Sequence, residues 1–201
     1  MKYSKVTFLF IVVYLIVSVA QAQKLYVWCP NDLEMVPRME ILKSDTLKVA
    51  FFDARILNKK SKIECSSDAL QNSILIEIKK AYPNAIIIND NNIYHKKQSK
   101  DNFLKIGISA YHAGFGVEVT SGIGVVSGSI SPLIFPKGMW NASTILYLQL
   151  SNEGSGKEKV IEKVSSRNNT LGYKSARSAL NETYLRALQD MLFFIDSNFM
   201  K

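Results

Sequence analysis

The chain has 201 residues, of which 47% are hydrophobic, and carries a formal net charge of +8 at pH 7. This length is sufficient for one domain with a buried core and does not require a second domain. The basic balance favours anionic partners such as phosphorylated glycolipids, anionic membranes or acidic proteins, unless it serves solubility alone.

Residues 1–22 have the pattern of a signal peptide. Two lysines precede an apolar stretch from Val6 to Ala20, and small residues follow at the positions that permit cleavage before Gln23. The apolar stretch is short for a membrane-spanning helix, although an uncleaved anchor helix stays open as the alternative. We therefore predict an exported protein, for which nucleic acid is not an expected partner.

The two cysteines of the chain, Cys29 and Cys65, both follow the predicted cleavage site. An even cysteine count in an oxidising compartment predicts a disulfide, with two free buried thiols as the alternative. Trp28 is too large for the small residue that a lipobox places before its cysteine. We therefore do not expect lipidation at Cys29.

Residues 23–46 are interpreted as an irregular amino-terminal arm, because two prolines interrupt any regular pattern. Leu47 to Phe52 is a compact apolar run that predicts a buried strand ending at Asp53. The segment from Asn58 to Lys62 is expected to be a basic loop.

A helix is predicted from Asp68 to Tyr82. Asp68 and Gln71 have the spacing of a capping box. Apolar residues recur at helical spacing along it, namely Leu70, Ile74, Ile78 and Ala81. Ala85 to Ile88 then forms a short apolar strand, so that strand, helix and strand have the size of a parallel crossover unit.

The second half of the chain predicts three strands and a helix. Phe103 to Ala113 alternates between two faces, and Ser143 to Leu150 is a second strand. Lys159 to Ser166 is interpreted as its return strand, although the Lys and Glu content leaves a helix open. A long amphipathic helix from Tyr173 to Ser197 ends the chain, with Leu180 on its apolar stripe.

One segment is nearly free of charge, because Glu118 alone is charged between His112 and Lys137. We interpret residues 114–138 as an inserted hairpin or a Gly/Ser-rich loop. Its alternating arm has the length of a tilted transmembrane β-strand. The alternative is a soluble hairpin, or a Gly-rich loop laid over its own sheet. The residues expected to contact a membrane or a partner are Val117, Val119, Ile123, Val125 and Ile130.

No catalytic constellation is evident, and we expect neither enzymatic activity nor a cofactor. The two histidines lack metal-site spacing, so no metal is predicted. Asp53 and Asp90 follow two parallel strands, and a shared acidic pocket there would support the less favoured enzyme hypothesis. Five lysines on two loops are candidate anion-binding residues if those loops share one side of the sheet: Lys59, Lys60, Lys62, Lys96 and Lys97.

The order of these elements resembles the periplasmic α/β domain of the curli secretion channel, the TolB amino-terminal domain, penicillin-binding-protein activator lipoproteins and ABC-transport auxiliary lipoproteins. The segment 49–55 resembles the first strand with its trailing Asp-x-Arg, and 103–108 resembles the third strand. The resemblance covers residues 47–198. It implies an α+β fold, β-α-β-β-β-β-α, in which two helices pack on one face of a mixed sheet of about five strands.

The resemblance also implies a location, periplasmic or associated with the outer membrane, and a function. We expect a non-enzymatic envelope accessory protein, part of or docked to a secretion or surface-assembly machine. In the curli channel a hairpin of this kind of domain enters the outer membrane, and residues 117–134 occupy a comparable place. The alternative is a periplasmic binder of an anionic small molecule or glycolipid. Expected partners are an envelope protein, a second copy of the chain, or anionic lipid.

Overall fold

A computed structural model of the protein describes residues 24–31, 46–57, 59–92, 102–116, 119–123, 130–134, 138–152 and 155–199. The predicted signal peptide lies outside these ranges, as does most of the predicted arm. The elements in chain order are β1 (Leu25–Val27), β2 (Thr46–Asp53), β3 (Lys62–Ile63), α1 (Ser67–Ala81), β4 (Ile86–Asn89), β5 (Phe103–Phe115), β6 (Val119–Ile123), β7 (Ile130–Ile134), β8 (Met139–Asn152), β9 (Ser155–Asn168) and α2 (Tyr173–Phe199).

The central strand of the seven-stranded mixed sheet is β5. The first half of β5 pairs in parallel with β2, and its end pairs antiparallel with β1. Along its other edge β5 pairs antiparallel with β8, and β9 follows β8. Beyond β2 lies β4, in parallel, so the predicted β-α-β crossover is confirmed. The α+β class predicted from the sequence is therefore correct.

Both helices pack on the same face of the sheet and touch each other. The hydroxyls of Ser73 in α1 and Tyr184 in α2 lie 3.0 Å apart. The Tyr82 hydroxyl, just after α1, donates to the carboxylate of Asp196 in α2 at 2.5 Å. The apolar stripes predicted for both helices are buried in one continuous core with alternate residues of β2, β5 and β8.

The start of α1 differs in detail from the sequence prediction. Ser66, not Asp68, is the N-cap residue, because its hydroxyl accepts a hydrogen bond from the backbone N–H of Ala69 at 3.1 Å. Asp68 lies in the first turn instead, where a carboxylate interacts favourably with the helix dipole. The Gln71 side chain donates to the Ser67 hydroxyl.

Two short strands correct the prediction of an irregular arm and a basic loop. Leu25–Val27, assigned to the arm, forms β1 and is buried against the end of β5. Lys62, assigned to the loop, begins β3 and pairs with Tyr26 of β1. These strands are too short to show a periodic pattern, and pairing with a distant strand stabilises them.

Two further alternatives, strand or helix for Lys159 to Ser166 and hairpin or loop for the insertion, are also decided. Residues 155–168 form a strand, β9, that pairs with β8 along its full length. In the uncharged segment, β6 and β7 pair antiparallel as a two-stranded sheet of their own, so the predicted hairpin is confirmed. Neither helix within the described residues is long and apolar enough to cross a membrane.

Candidate functional site

The predicted disulfide is present. Cys29 and Cys65 are bonded, with a sequence separation of 36 and a distance of 4.6 Å between their Cα atoms. Cys29 follows β1, and Cys65 immediately precedes the N-cap of α1. The bond therefore joins the first strand of the sheet to the start of the first helix.

Five aromatic side chains gather beside this disulfide, and we call them the aromatic cluster: Tyr26, Trp28, Phe115, Trp140 and Tyr173. The rings of Tyr26 and Trp28 are stacked with centroids 5.4 Å apart. Trp140 meets Tyr26 edge-on at 5.5 Å, and Tyr173 lies 5.2 Å from Tyr26. Offset and edge-to-face contacts of this kind stabilise beyond the apolar area they bury.

Strand register brings the cluster together at one end of the sheet. Tyr26 of β1 lies beside Ala113 of β5, and Phe115, two residues further on, pairs with Trp140 at the start of β8. Tyr173 is the first residue of α2. Alternation along each strand directs these rings toward the face that α2 covers, at the point where that helix begins.

Hydrogen bonds hold the polar atoms of the cluster. The hydroxyls of Tyr26 and Tyr173 lie 3.2 Å apart, and this bond together with burial raises the pKa of Tyr26. The indole N–H of Trp140 donates to Asn169 at 2.7 Å. The Tyr111 hydroxyl donates to the backbone carbonyl of Trp28 at 2.9 Å. These bonds hold the rings in defined orientations.

Positive charge lies directly on two of these rings. The Arg177 guanidinium is centred 5.1 Å from the Trp28 ring, and the Lys24 ammonium lies 5.4 Å from Tyr26. Arg177 and Lys62 also form ion pairs with Glu64, at 3.2 and 3.0 Å. The hydrogen bond from Lys62 and the charge of Arg177 lower the pKa of Glu64.

The cluster combines buried and exposed rings. Tyr26, Trp28 and Trp140 are at most 8% exposed, whereas Tyr173 and Phe115 are 55% and 42% exposed. The two cations lie over the buried rings of Trp28 and Tyr26, and the exposed ring of Tyr173 contacts both of those rings. Together these groups suit a ligand that carries both an apolar face and a negative charge. The sequence does not predict this site, because its rings lie far apart along the chain and meet only in the fold. The two tryptophans were the one sequence signal that could have drawn attention to it.

The lysines proposed as an anion site are only partly described. Lys59 and Lys60 are exposed, Lys62 pairs with Glu64, and Lys96 and Lys97 lie outside the described residues. The loop that carries Lys96 and Lys97 connects the end of β4 to the start of β5. Lys62 pairs with β1, and β1 pairs with the opposite end of β5. A site that uses both loops stays a prediction, and this register does not favour it.

Asp53 has a structural partner. Arg55, whose side chain is 4% exposed, approaches one Asp53 oxygen at 2.7 Å and also bonds the other. Burial by itself raises the pKa of Asp53, but hydrogen bonds from Arg55 and Ser67 outweigh it and lower the pKa. Asp90 follows the β4 residue that pairs with Val49, so it is offset from Asp53 along the sheet. Within the described part of the chain, no His, Cys, Asp and Glu group could hold a metal ion.

The hairpin leaves the main sheet at a defined base. The Gly116 N–H donates to Met139 at 3.1 Å, and the Asn141 side chain donates to the Gly116 carbonyl at 2.6 Å. Gly116 has a φ of 106°, which side-chain-bearing residues rarely adopt. Of the predicted contact residues, Val119 and Ile123 are in β6 and Ile130 is in β7. Val117 and Val125 lie outside the described residues.

No protein-family model and no curated protein matches this chain. Among solved structures, an uncharacterized protein is 10% identical, with a TM-score of 0.46 over 85% of this chain and 97% of its own. A neuraminyllactose-binding hemagglutinin homolog from Helicobacter pylori is 8% identical, with a TM-score of 0.44 over 88% and 92%. A PelC dodecamer from Paraburkholderia phytofirmans is 12% identical, with a TM-score of 0.35 over 79% and 94%. Similarity at this level assigns no function, and the periplasmic group named above stays a hypothesis.

Proposed function

We propose that the protein is a non-enzymatic, exported accessory protein of the cell envelope, and that its β6–β7 hairpin attaches it to a membrane at a secretion or surface-assembly machine. The observation that carries this proposal is that the hairpin does not pair with the main sheet. Its two strands pair with each other, Val119 opposite Ile134 and Ile123 opposite Ile130, in a sheet distinct from the seven-stranded one.

The chemistry of the segment supports attachment. A chain with a net charge of +8 has a single charged residue, Glu118, between His112 and Lys137. Exposed strands in proteins that remain in water usually carry charged side chains that prevent association. A hairpin without them, joined to the domain through Gly116, is suited to contact an apolar or interfacial environment.

The proposed compartment has independent support. A disulfide between Cys29 and Cys65 is the form expected of a small domain in an oxidising compartment. The signal-peptide pattern of residues 1–22 and the absence of a lipobox before Cys29 are both consistent with export without a lipid anchor. Under this proposal the hairpin takes the place of that anchor.

Deletion of residues 117–134, with a short Gly-Ser linker in their place, is expected to leave the domain folded and abolish membrane binding. The urea midpoint should change little, because no strand of the main sheet pairs with β6 or β7. Flotation with vesicles of phosphatidylcholine and phosphatidylglycerol measures the binding. Loss of folding would show that the segment is core, and intact protein that ignores vesicles would refute the membrane role.

A full-length variant serves as the control, because it removes the apolar side chains without shortening the hairpin. Replacing Val119, Ile123 and Ile130 with serine keeps the hairpin length and removes three of the residues predicted to contact the membrane. This variant should also fail to float with vesicles. Flotation equal to that of the unaltered chain would show that the apolar side chains do not mediate attachment.

The aromatic cluster favours a second candidate function, the binding of an anionic glycolipid. Sugar rings stack on exposed aromatic faces, and Arg177 places a positive charge beside Trp28 to interact with a phosphate or carboxylate. Both tryptophans of the chain belong to the cluster, so intrinsic fluorescence reports directly on this surface. The two functions are compatible in one molecule, because cluster and hairpin use different residues.

Under this second candidate, titration with purified lipopolysaccharide should change the tryptophan emission, and Tyr173→Ala should weaken binding about tenfold through loss of one stacked ring. Tyr173 is 55% exposed, so its truncation is expected to preserve the fold. Leu171→Ala, at a residue that is 68% exposed on the same turn but not aromatic, is the matched control. Unchanged emission across the titration would exclude this ligand class at the cluster.

A further inference from the structure

We infer that β4 is a dimerisation edge, at which two copies of the chain join their sheets through antiparallel β4–β4 pairing. The proposed attachment through the hairpin neither requires nor predicts this contact. The inference rests on the contrast between the two long edges of the main sheet and on the self-complementarity of β4.

The two edges differ in charge. Among the described strands, β4 pairs only with β2, and β9 pairs only with β8, so each ends the sheet. Six charged residues protect β9: Lys157, Glu158, Lys159, Glu162, Lys163 and Arg167. The β4 sequence is Ile-Ile-Ile-Asn and has no charge. An edge without charge, proline or a bulge is a template for strand addition.

The hydrogen-bonding groups of β4 that face outward follow from its pairing with β2. The Asp90 N–H donates to the carbonyl of Val49 at 2.8 Å, toward β2. Because the direction alternates along a strand, Ile86 and Ile88 also bond toward β2, while Ile87 and Asn89 direct their N–H and C=O outward. No strand within the described ranges pairs with these outward groups.

The side chains of β4 make its outer face apolar. Ile86 and Ile88 are 57% and 42% exposed, on the sheet face opposite the helices. Ile87 points the other way and packs against the core. On an edge strand without charged residues, the exposed isoleucines therefore lie beside the outward N–H and C=O groups, and one partner strand could contact both.

A second copy of the chain satisfies both requirements. If a two-fold axis passes beside Ile87, the two Ile87 residues form a hydrogen-bonded pair. Each Ile86 then lies opposite Ile88 of the partner subunit, so all four exposed isoleucines contact one another. No like charges meet within the strand. Each Asp90 is brought toward the start of the partner's β4, which follows the basic last turn of α1.

The test is the oligomeric state of the intact chain, measured by sedimentation velocity over a range of concentrations without lipid. Unaltered protein should form a dimer. Ile86→Lys with Ile88→Lys places two like-charged pairs across the two-fold axis and should raise the dimer Kd about 100-fold or more. The matched control is Val160→Lys with Val164→Lys, at exposed apolar positions on β9, which should dimerise normally.

A variant of opposite charge distinguishes loss of the dimer contact from loss of folding. A variant with Ile86→Glu and Ile88→Glu should also be monomeric alone, but should form a heterodimer when mixed with the lysine variant. A monomeric unaltered chain, dimerisation that survives the lysine substitutions, or failure of the mixed variants to pair would each overturn the inference.

The hairpin deletion distinguishes this inference from the proposed function. Protein without residues 117–134 should lose vesicle flotation yet keep its dimer. Loss of the dimer on that deletion would show that self-association occurs through the hairpin and would overturn pairing through β4. The reverse result, vesicle binding by the lysine variant, is expected and leaves the proposed function intact.

Discussion

Leu180→Asp is expected to lower the free energy of unfolding by about 5 kcal/mol, close to the whole stability of a small domain. Leu180 is 1% exposed, on the stripe of α2 that contacts the sheet. The nearby hydroxyls are already engaged, since Thr183 donates to the Leu180 carbonyl and lies 2.8 Å from Thr144. A carboxylate there would therefore be buried without an evident partner, and urea unfolding should show the loss.

Arg186→Ala is the matched control on the opposite face of α2. Arg186 is 52% exposed and lies 3.6 Å from Glu182, one helical turn earlier. Glu182 also accepts hydrogen bonds from Ser165 and Arg167, so it keeps partners when Arg186 is removed. We expect a loss of at most about 1 kcal/mol. Comparable urea midpoints for the two variants would contradict the assigned orientation of the helix.

Replacing Cys29 and Cys65 with serine is expected to lower the free energy of unfolding by about 4 kcal/mol, the chain-entropy value for a loop of this size. The sequence separation of 36 sets that loop. The effect should extend to the aromatic cluster, because Tyr26 lies in β1, Trp28 follows it directly, and the disulfide holds this segment against the start of α1. Urea unfolding measures the first effect, and a red shift of tryptophan emission measures the second.

Single replacements provide the control for this prediction. Cys29→Ser and Cys65→Ser should each be about as destabilising as the double replacement, because either one opens the same loop. Mass spectrometry of unreduced, alkylated protein from its exporting host should find both thiols protected. Complete alkylation of native exported protein, or a double variant with the stability of the unaltered chain, would contradict the structural role of the bond.

Periodicity in the sequence was sufficient for the large elements. The helical spacing of Leu70, Ile74 and Ile78 predicted α1, and the stripe that contains Leu180 predicted α2. Each stripe depends on residues three or four positions apart, which are neighbours on any helix whatever surrounds it. The alternation in 103–113 predicted β5 for the same local reason. The order of these large elements followed from such patterns.

The tertiary structure alone decided the short strands and the candidate sites. Leu25–Val27 forms a strand because it pairs with the end of β5, far along the chain. Three residues are too few to show the alternation that predicts a strand. The same pairing brings Trp28 and Tyr26 to Tyr173. Asp53 forms an ion pair with Arg55, two residues later in the chain. The geometry of this pair depends on burial of the guanidinium, which the local sequence does not show.

The division has one physical cause. The sequence by itself determined what depends on neighbours along the chain: the signal-peptide pattern, the helices, the long strands, the uncharged hairpin and the presence of two cysteines after the predicted cleavage site. Which strand borders which, which of the described strands lies at an edge, and which rings meet around Trp28 depend on contacts between distant residues. Those contacts are selected by the packing of the whole core, and no local pattern encodes them.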